Sequence, residues 1–157
     1  MGALIDVTDS SGDSCFHYAL KNNNIDMLKL LLNKNPSAAD SRNKNGETVL
    51  MSAAINNKLE FVNLLRQYNV SLDLTDHQDT TLLHVACKNG SAELFKMVMS
   101  ASKSRVSMDS VDRHGRTALI VLSKSKHPLQ VQFAETLLNA GSNLNLQDNT
   151  GKTGKIF

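Results

Sequence analysis

The sequence predicts an all-α fold, a solenoid in which pairs of short helices are stacked in a row and hairpin loops connect one pair to the next. A turn residue recurs at intervals of 33 to 36 residues, a Ser or Thr follows it where a helix needs a cap, and two short apolar stretches come after that cap. Isolated helices shorter than about 12 residues are marginal in water. The pairs must therefore bury their apolar faces on one another.

The recurring turn position starts each unit and defines the period. Successive spacings are 34, 33, 36 and 36 residues. The residues at this position are Gly12, Gly46, Asp79, Gly115 and Gly151.

The first helix of each unit is short, apolar and preceded by a hydroxyl side chain. These hydroxyls can accept hydrogen bonds from the first backbone N–H groups of the helix. Small residues such as Ala19, Ala53 and Ala86 suit a helix that packs closely on its neighbours. The predicted caps are Ser14, Thr48, Thr81 and Thr117, and the predicted helices are residues 16–20, 50–54, 83–87 and 119–122.

A polar break separates the two helices of each unit. The breaks are "KNNN", "INNK", "CKNG" and "SKSKHP", in which Asn or Gly can adopt the left-handed conformation that ends a helix. The second helices are predicted around residues 28–32, 61–65, 94–98 and 133–138. We expect irregular loops around residues 126–128, where the fourth unit has extra residues, and in the connection "SASKSRVSMDSV" after the third unit.

The helix-opening segments resemble those of the ankyrin-repeat family, which begin Thr-Pro-Leu-His-x-Ala. The matching segments are "TLLHVA" from Thr81 and "SCFHYA" from Ser14, and "GSNLNLQDNTG" from Gly141 matches the family's closing pattern. Proline is absent from the second position of every unit, and Met51 and Ile120 replace the His in the second and fourth units. The resemblance implies one domain over 1–157, with repeats at about 9–41, 42–75, 76–111 and 112–147 and partial repeats at 1–8 and 148–157.

The segment "GKT" near the end of the chain, Gly151 to Thr153, looks like part of a phosphate-binding loop. A phosphate loop needs another Gly five residues before Gly151, where Leu146 stands, and a long helix after it. We therefore interpret the segment as the hairpin that opens another repeat.

Composition and motifs argue against catalysis, cofactors, metals and membranes. The net charge is +2, no run of 18 apolar residues exists, and no signal peptide is recognisable. Cys15 and Cys87 are too few for a disulfide framework, which favours a reducing compartment, cytoplasmic or nuclear. No His-Glu-x-x-His or Cys-x-x-Cys spacing occurs. His17 and His84 occupy the repeat's own motif position, where the imidazole connects the turn to the helix. We expect no enzyme activity and no cofactor.

The resemblance implies a scaffold or adaptor that binds another protein through a concave surface made of hairpins and first helices. Tyr18 and Ile55 are candidate apolar anchors, because binding energy concentrates in a few such residues. The candidate partner-binding residues are Asp13, Tyr18, Lys21, Asn22, Lys44, Glu47, Ile55, Asn56, His77, Thr80, Lys88, Asn89, Arg113, His114, Arg116 and Lys124.

Charge changes along this predicted surface, from acidic residues in the first repeat to basic residues in the fourth. The basic end favours an acidic segment of a partner protein. The aromatic platforms on which single-stranded nucleic acids stack are missing, which argues against nucleic acid. Open ends of the stack also predict end-to-end self-association. The acidic residues are Asp9, Asp13 and Asp26, and the basic ones are Arg113, His114, Arg116, Lys124 and Lys126.

Two alternatives to a general adaptor stay open. One is a small protein similar to the inhibitors of NF-κB, because "GDSCFHYAL" resembles their first repeat and they also lengthen the connection after the third. The other is a regulatory segment whose catalytic domain lies outside this chain.

Overall fold

The computed structural model describes residues 7–101 and 107–155, and in these residues it contains helices, turns and isolated β-bridges but no strand. The all-α prediction is confirmed. The helices of the described residues are α1 (Cys15–Lys21), α2 (Ile25–Lys34), a 3₁₀ helix (Pro36–Asp40), α3 (Val49–Ile55), α4 (Leu59–Gln67), α5 (Leu82–Asn89), α6 (Ala92–Ala101), α7 (Ala118–Ser123) and α8 (Gln130–Asn139).

The chain forms two compact units, the first ending at His77 and the second beginning at Gln78. In unit 1, α1 packs on α2 and α3, α3 packs on α4, and the 3₁₀ helix fills the space against α2 and α3. In unit 2, α5 packs on α6 and α7, and α7 packs on α8. Each unit thus contains two of the predicted helix pairs, and aliphatic residues with a few Phe side chains form its core.

The first helices begin where the sequence predicted. All four expected caps are N-cap residues in extended backbone, and Thr48, Thr81 and Thr117 each accept a hydrogen bond from the N–H three residues later, at 3.3 Å. The small residues Ala53 and Ala86 are fully buried, which lets neighbouring helices approach closely.

All five recurring turn residues have positive φ, between +58° and +78°. Glycine occupies four of them because it has no Cβ to clash in this conformation. Asp79 is the exception, and Asp is among the few residues that tolerate it. The breaks inside the first three repeats also turn left-handed, at Asn23, Asn57 and Gly90.

The fourth break forms the irregular loop that the sequence predicted around residues 126–128, but no left-handed Asn or Gly turns it. No residue from 124 to 129 has positive φ, and the chain reverses instead through two ordinary turns, closed by the Ser125 and Gln130 amides. The extra residues make this possible because the reversal is spread over a longer loop. The imidazole of His127 in this loop packs on Gly90 and Phe133, and its Nε2 lies 3.1 Å from the carbonyl oxygen of Cys87.

In the connection after the third repeat, α6 ends at Ala101, and residues 107–111 contain a turn but no helix or strand. Residues 102–106 lie outside the described residues, so the prediction for that part of the connection has no structural counterpart. The same holds for residues 1–6 at the first partial repeat.

Each hairpin is hydrogen-bonded through its backbone to the next hairpin of the same unit. The donor and acceptor are separated by 2.8–3.0 Å. These bonds fix the spacing of successive helix pairs at the level of the main chain. The pairs in unit 1 are Lys44 N–H to Ser11 and His77 N–H to Asn45; those in unit 2 are Arg113 N–H to Gln78 and Asn149 N–H to His114.

Two buried imidazoles add a second link between repeats. His17 Nδ1 lies 2.9 Å from the Ser14 hydroxyl, and its Nε2 lies 3.1 Å from the carbonyl oxygen of Glu47 in the next hairpin. His84 repeats this arrangement in unit 2, with its Nε2 2.8 Å from the Arg116 carbonyl oxygen. The neutral tautomer protonated at Nε2 satisfies both contacts. The imidazole therefore connects the start of the helix to the following repeat. The sequence predicted its contact with the helix start but not its contact with the next hairpin.

The "GKT" segment is a hairpin, as predicted. Asp148 N–H donates to Lys152, Gly151 N–H donates to Asp148, and Gln147 bridges Thr153. The same pattern of bonds surrounds Gly12.

Replacing Gly46 by Ala should destabilise the protein more than replacing Gly151 by Ala. Both glycines have nearly the same φ, +77° and +78°, so the cost of about 1–2 kcal/mol for a left-handed non-glycine residue is common to both. A Cβ on Gly46 would lie 2.5 Å from the backbone nitrogen of His77, whereas nothing lies within 4 Å at Gly151. We expect about 1–3 kcal/mol of additional loss for Gly46→Ala, measured by urea unfolding. Equal losses in the two variants would contradict the packing of hairpin on hairpin.

Candidate functional site

One candidate site is a groove in unit 1 with a volume of about 610 Å³, called here the unit-1 groove. It lies where the first two hairpins meet the starts and ends of α1 and α3. Five predicted partner-binding residues line it: Asp13, Lys21, Lys44, Glu47 and Asn56. The other lining residues are Ser11, His17, Leu20, Asn43, Asn45, Ser52 and Lys58.

The acidic side chains of the unit-1 groove are already engaged within the protein. The carboxylate of Asp13 is only 4% exposed and forms an ion pair with Lys21. This contact raises the pKa of Lys21, because the hydrogen bond to Asp13 stabilises the charged ammonium. Glu47 accepts a hydrogen bond of 2.7 Å from the Ser52 hydroxyl. Because Asp13 is buried, its carboxylate contributes to the groove mainly by holding Lys21 in position.

Lysine supplies the remaining charge of the groove. The Nζ atom of Lys58 donates to the carbonyl oxygen of Leu20 at 2.7 Å, which closes the end of α1. Lys44 is exposed, and its ammonium has no hydrogen-bonding or ionic partner in the part of the chain that the structure describes. Lys44 is thus the cation in this groove that can bind a ligand without losing an internal contact.

The other predicted residues of unit 1 lie on the surface outside the groove lining. Tyr18 is 45% exposed, and its hydroxyl donates a 2.7 Å hydrogen bond to Asp9. That bond raises the pKa of Tyr18 and lowers the pKa of Asp9. Ile55 is 40% exposed at the end of α3. Asn22 and His77 are exposed as well, and the position of His77 is fixed by its backbone bond and its packing against Gly46.

In unit 2, the predicted basic residues divide into two groups. Lys88, Arg113 and His114 are exposed, and no charged partner is present for them among residues 7–101 and 107–155. Arg116 and Lys124 instead form ion pairs with carboxylates that are 3% exposed. The remaining two predicted residues of this unit are Thr80, which is half-buried, and Asn89, which is exposed.

The buried carboxylate beside Arg116 belongs to Asp112. Its Oδ1 accepts the backbone N–H groups of His114 and Arg116 at 2.9 and 3.0 Å, and its Oδ2 accepts Arg116 Nε at 2.8 Å. Burial alone would raise the pKa of Asp112, but these hydrogen bonds outweigh it and lower the pKa. Arg116 therefore has a structural role, because it pairs with the buried carboxylate of Asp112.

The buried carboxylate of Asp148 forms an ion pair with Lys124, as the carboxylate of Asp112 does with Arg116. It accepts hydrogen bonds from the Thr150 hydroxyl at 2.6 Å, from Lys124 Nζ at 2.9 Å and from the Lys152 backbone N–H at 3.0 Å. These bonds, with that of Thr150 the strongest influence, lower the pKa of Asp148. The ammonium of Lys124 thus connects the end of α7 to the following hairpin.

Sequence reasoning missed the residues that organise the hairpins. Four Asp or Asn residues each lie three residues before a recurring glycine. One side-chain oxygen of each accepts hydrogen bonds from two backbone N–H groups, which closes the turn. The spacing Asp/Asn-x-x-Gly was visible in the sequence, but it was interpreted only as part of a family pattern. These residues are Asp9, Asn43, Asp112 and Asp148.

The Cys87 side chain is fully buried. Burial raises the pKa of the Cys87 thiol to about 12, so the nucleophilic thiolate is scarce at neutral pH. Among residues 7–101 and 107–155, no group of three or more His, Cys, Asp or Glu side chains is placed to hold a metal ion. Within the same residues, no helix is long and apolar enough to cross a membrane.

Replacing Arg116 by Leu should lower the free energy of unfolding, whereas replacing Arg113 by Leu should leave it nearly unchanged. Arg116 neutralises the buried carboxylate of Asp112, but its own side chain is 36% exposed. We expect a loss of about 1–2 kcal/mol, less than the 3–5 typical of a fully buried pair, because solvent screens the guanidinium. Chemical denaturation checks both variants, and equal stability of the two would rule out the structural role of Arg116.

Stability should also fall on acidification. The pKa of Asp112 lies below its ordinary value of 3.8 in the folded protein. Its contribution is therefore complete above that value and is lost as the pH falls through the lower, folded-state pKa. Unfolding measured between about pH 6 and pH 2 should be less pH-dependent in Asp112→Asn than in the wild type. Parallel pH profiles of the two proteins would contradict this assignment.

Comparison with known proteins identifies the family. The family profile described as Ankyrin repeats (3 copies) matches residues 1–76 and 68–148. The chain is 31% identical over 98 residues to the Target of rapamycin complex 2 subunit AVO2 of Saccharomyces cerevisiae, covering 62% of this chain and 22% of that protein. It is 28% identical over 152 residues to the Nuclear factor NF-kappa-B p105 subunit of Rattus norvegicus, covering 92% of this chain and 15% of that protein. The chain thus spans less than a quarter of the length of either relative.

A solved structure gives the same result for the fold. The crystal structure of an ankyrin repeat domain from Acinetobacter baumannii AYE superposes with a TM-score of 0.85, covering 98% of this chain and 78% of that one, at 24% sequence identity. Fold class and repeat pattern therefore agree with the sequence match. The chain belongs to the ankyrin-repeat family, whose repeats are protein-interaction modules.

Proposed function

We propose that this protein binds a partner protein through the exposed surface of its hairpins and first helices, with the unit-1 groove as a principal contact. The observation that carries the proposal is that the groove brings together five residues that the family resemblance implied, Asp13, Lys21, Lys44, Glu47 and Asn56. A groove of about 610 Å³ has the size of an ordinary ligand site, and it admits several side chains of an extended segment.

The partner segment that best suits this surface is acidic. Lys44 is the groove cation with no internal partner, and Lys21 remains 57% exposed while it pairs with Asp13. In unit 2, Lys88 and Arg113 are exposed cations among the predicted partner-binding residues. Positive side chains of this kind attract an acidic segment and speed its encounter with the protein.

The ion pairs of Arg116 and Lys124 reduce the basic character expected of the fourth repeat. Each of these cations is next to a buried aspartate, so together they contribute little net charge to a binding surface. Charge-reversal experiments at Arg116 and Lys124 would confuse loss of binding with loss of stability. Lys44 and Arg113 are better positions, because neither has an internal ionic partner in the described residues.

The proposal is for a non-catalytic adaptor or scaffold that works in a reducing compartment, the cytoplasm or the nucleus. A second candidate is a protein similar to the inhibitors of NF-κB, which the similarity to the p105 subunit over 92% of this chain supports. A third is a regulatory segment of a larger enzyme, which accords with relatives that are several times longer than this chain.

Charge reversal at the exposed cations should weaken partner capture without unfolding the protein. We expect the Lys44→Glu and Arg113→Glu double variant to recover at least about tenfold less of the main partner in an affinity pull-down with mass spectrometry. Lys96→Glu, an exposed lysine on the second helix of its repeat, is the matched control and should bind as the wild type does. The loss should grow smaller at high salt, because screening weakens the wild-type interaction too.

The identity of the captured protein separates the candidates. A Rel-type transcription factor would favour the inhibitor-like function, and an unrelated acidic protein would favour the adaptor. Undiminished recovery by the double variant, with folding confirmed by circular dichroism, would refute the proposed surface.

A further inference from the structure

We propose that the unit-1 groove binds its partner protein as an extended acidic segment, with the Asn45 carboxamide bonded to the backbone of that segment and Lys44 paired with an acidic side chain. This binding mode rests on the function proposed for the groove and specifies the conformation of the bound segment. Ser11, Lys44 and Asn45 provide the contacts, and all three residues line the groove and are exposed.

The polar side chains of the groove divide into those that are engaged within the protein and those that are free. The Ser11 hydroxyl, the Lys44 ammonium and the Asn45 carboxamide have no hydrogen-bonding or ionic partner among residues 7–101 and 107–155. Every other polar side chain in the lining forms a hydrogen bond or an ion pair inside unit 1. The three free groups can therefore bind a ligand without losing an internal contact.

The three free groups lie next to one another on the first two hairpins, and their backbone is fixed. The Lys44 N–H donates to the carbonyl oxygen of Ser11 at 3.0 Å, and Asn45 follows Lys44 in the chain. The Asn45 N–H donates to Asn43 Oδ1 at 2.9 Å, and the Asn45 carbonyl oxygen accepts the His77 N–H at 2.9 Å. Because this backbone is held before a ligand arrives, binding orders only the side chains, which lowers its entropic cost.

The carboxamide of Asn45 is suited to bind a peptide backbone. A carboxamide has both N–H donors and a carbonyl acceptor, so it can pair with the C=O and the N–H of a peptide chain at the same time. The other two carboxamides that line the groove are occupied. Asn43 Oδ1 accepts two backbone N–H groups of its own hairpin, and Asn56 Nδ2 donates to the carbonyl oxygen of Ser52 at 2.7 Å.

An extended segment offers the backbone groups that Asn45 can bind, whereas a helix does not. In extended backbone, the N–H and C=O of one residue point to the same side, so one carboxamide can meet both. Inside a helix, the same groups are bonded to other residues of that helix. A bound helix would therefore leave the Asn45 carboxamide without a backbone partner.

Charge selects the side chains of the segment. The Lys44 ammonium attracts a carboxylate, and the neighbouring Ser11 hydroxyl can donate a second hydrogen bond to it. The carboxylate of Glu47, which also lines the groove, is bonded to the neutral Ser52 hydroxyl and repels an acid placed beside it. The acidic side chain of the segment therefore belongs on the side of the groove that Ser11 and Lys44 form.

Two acidic probe peptides of equal length and charge test the binding mode by fluorescence anisotropy. One is a peptide of about eight residues in which Thr and Glu alternate, because β-branched Thr favours extended backbone. The other is held helical by a hydrocarbon staple. We expect the wild-type protein to bind the extended peptide at least about tenfold more tightly than the helical one, because only the extended peptide gains the two hydrogen bonds to Asn45.

Substitutions separate recognition of the backbone from recognition of charge. Asn45→Ala should weaken binding of the extended peptide about tenfold and leave binding of the helical peptide unchanged. Lys44→Ala should weaken binding of both peptides, because both are acidic. Gln67→Ala is the matched control. The Gln67 carboxamide is exposed at the end of α4 and has no partner in the part of the chain that the structure describes, so this variant should bind both peptides as the wild type does.

The outcomes distinguish this binding mode from the proposed function on which it rests. Equal affinity for the two peptides, or unchanged affinity of Asn45→Ala for the extended peptide, would overturn the binding mode. The groove would remain an acidic contact in that case if Lys44→Ala still weakened binding. Binding of neither peptide at about 1 mM, or binding that Lys44→Ala does not weaken, would refute the groove as the contact and the binding mode with it. Urea unfolding of each variant confirms that the fold is intact.

Discussion

A backbone hydrogen bond, donated by each hairpin to the carbonyl oxygen of the hairpin before it, fixes the spacing between helix pairs within each unit. This bond requires the hairpins to lie very close together, and the recurring left-handed glycines permit it. At Gly12 and Gly46, an added Cβ would come within 3 Å of the following hairpin's backbone. The short helices depend on this spacing, because none of them is long enough to be stable without a neighbour.

Several polar residues stabilise the hairpins and their spacing, and their side chains are engaged within the protein. Asp112 and Asp148 close their hairpins through backbone N–H groups and hold Arg116 and Lys124 by ion pairs. His84 connects a helix cap to the Arg116 carbonyl. The binding surface that we propose is therefore limited to exposed side chains that this network does not engage, such as Lys44 and Arg113.

The period in the sequence predicted the helix pairs, their caps and the left-handed turns, because each depends on residues close together in the chain. The ion pair between Lys124 and Asp148, 24 residues apart, could not be predicted, since the repeat pattern places both residues without stating which side chains meet. The burial of Asp13 could not be predicted for the same reason. The repeat pattern placed Asp13 on the surface, whereas the structure buries its carboxylate beneath Lys21. In the fourth repeat, the extra residues changed the turn itself, because a longer loop does not need a left-handed residue.

Hydrogen exchange of the hairpin amides tests the central claim most directly. Lys44, His77, Arg113 and Asn149 are all exposed residues in hairpin loops, where amides ordinarily exchange quickly, yet each donates its N–H to a neighbouring hairpin. If these bonds fix the spacing of the repeats, nuclear magnetic resonance should show their exchange slowed at least roughly a hundredfold relative to an unstructured peptide. Exchange at the rate of an unstructured peptide, while the core amides of α3 and α5 stay protected, would contradict the account.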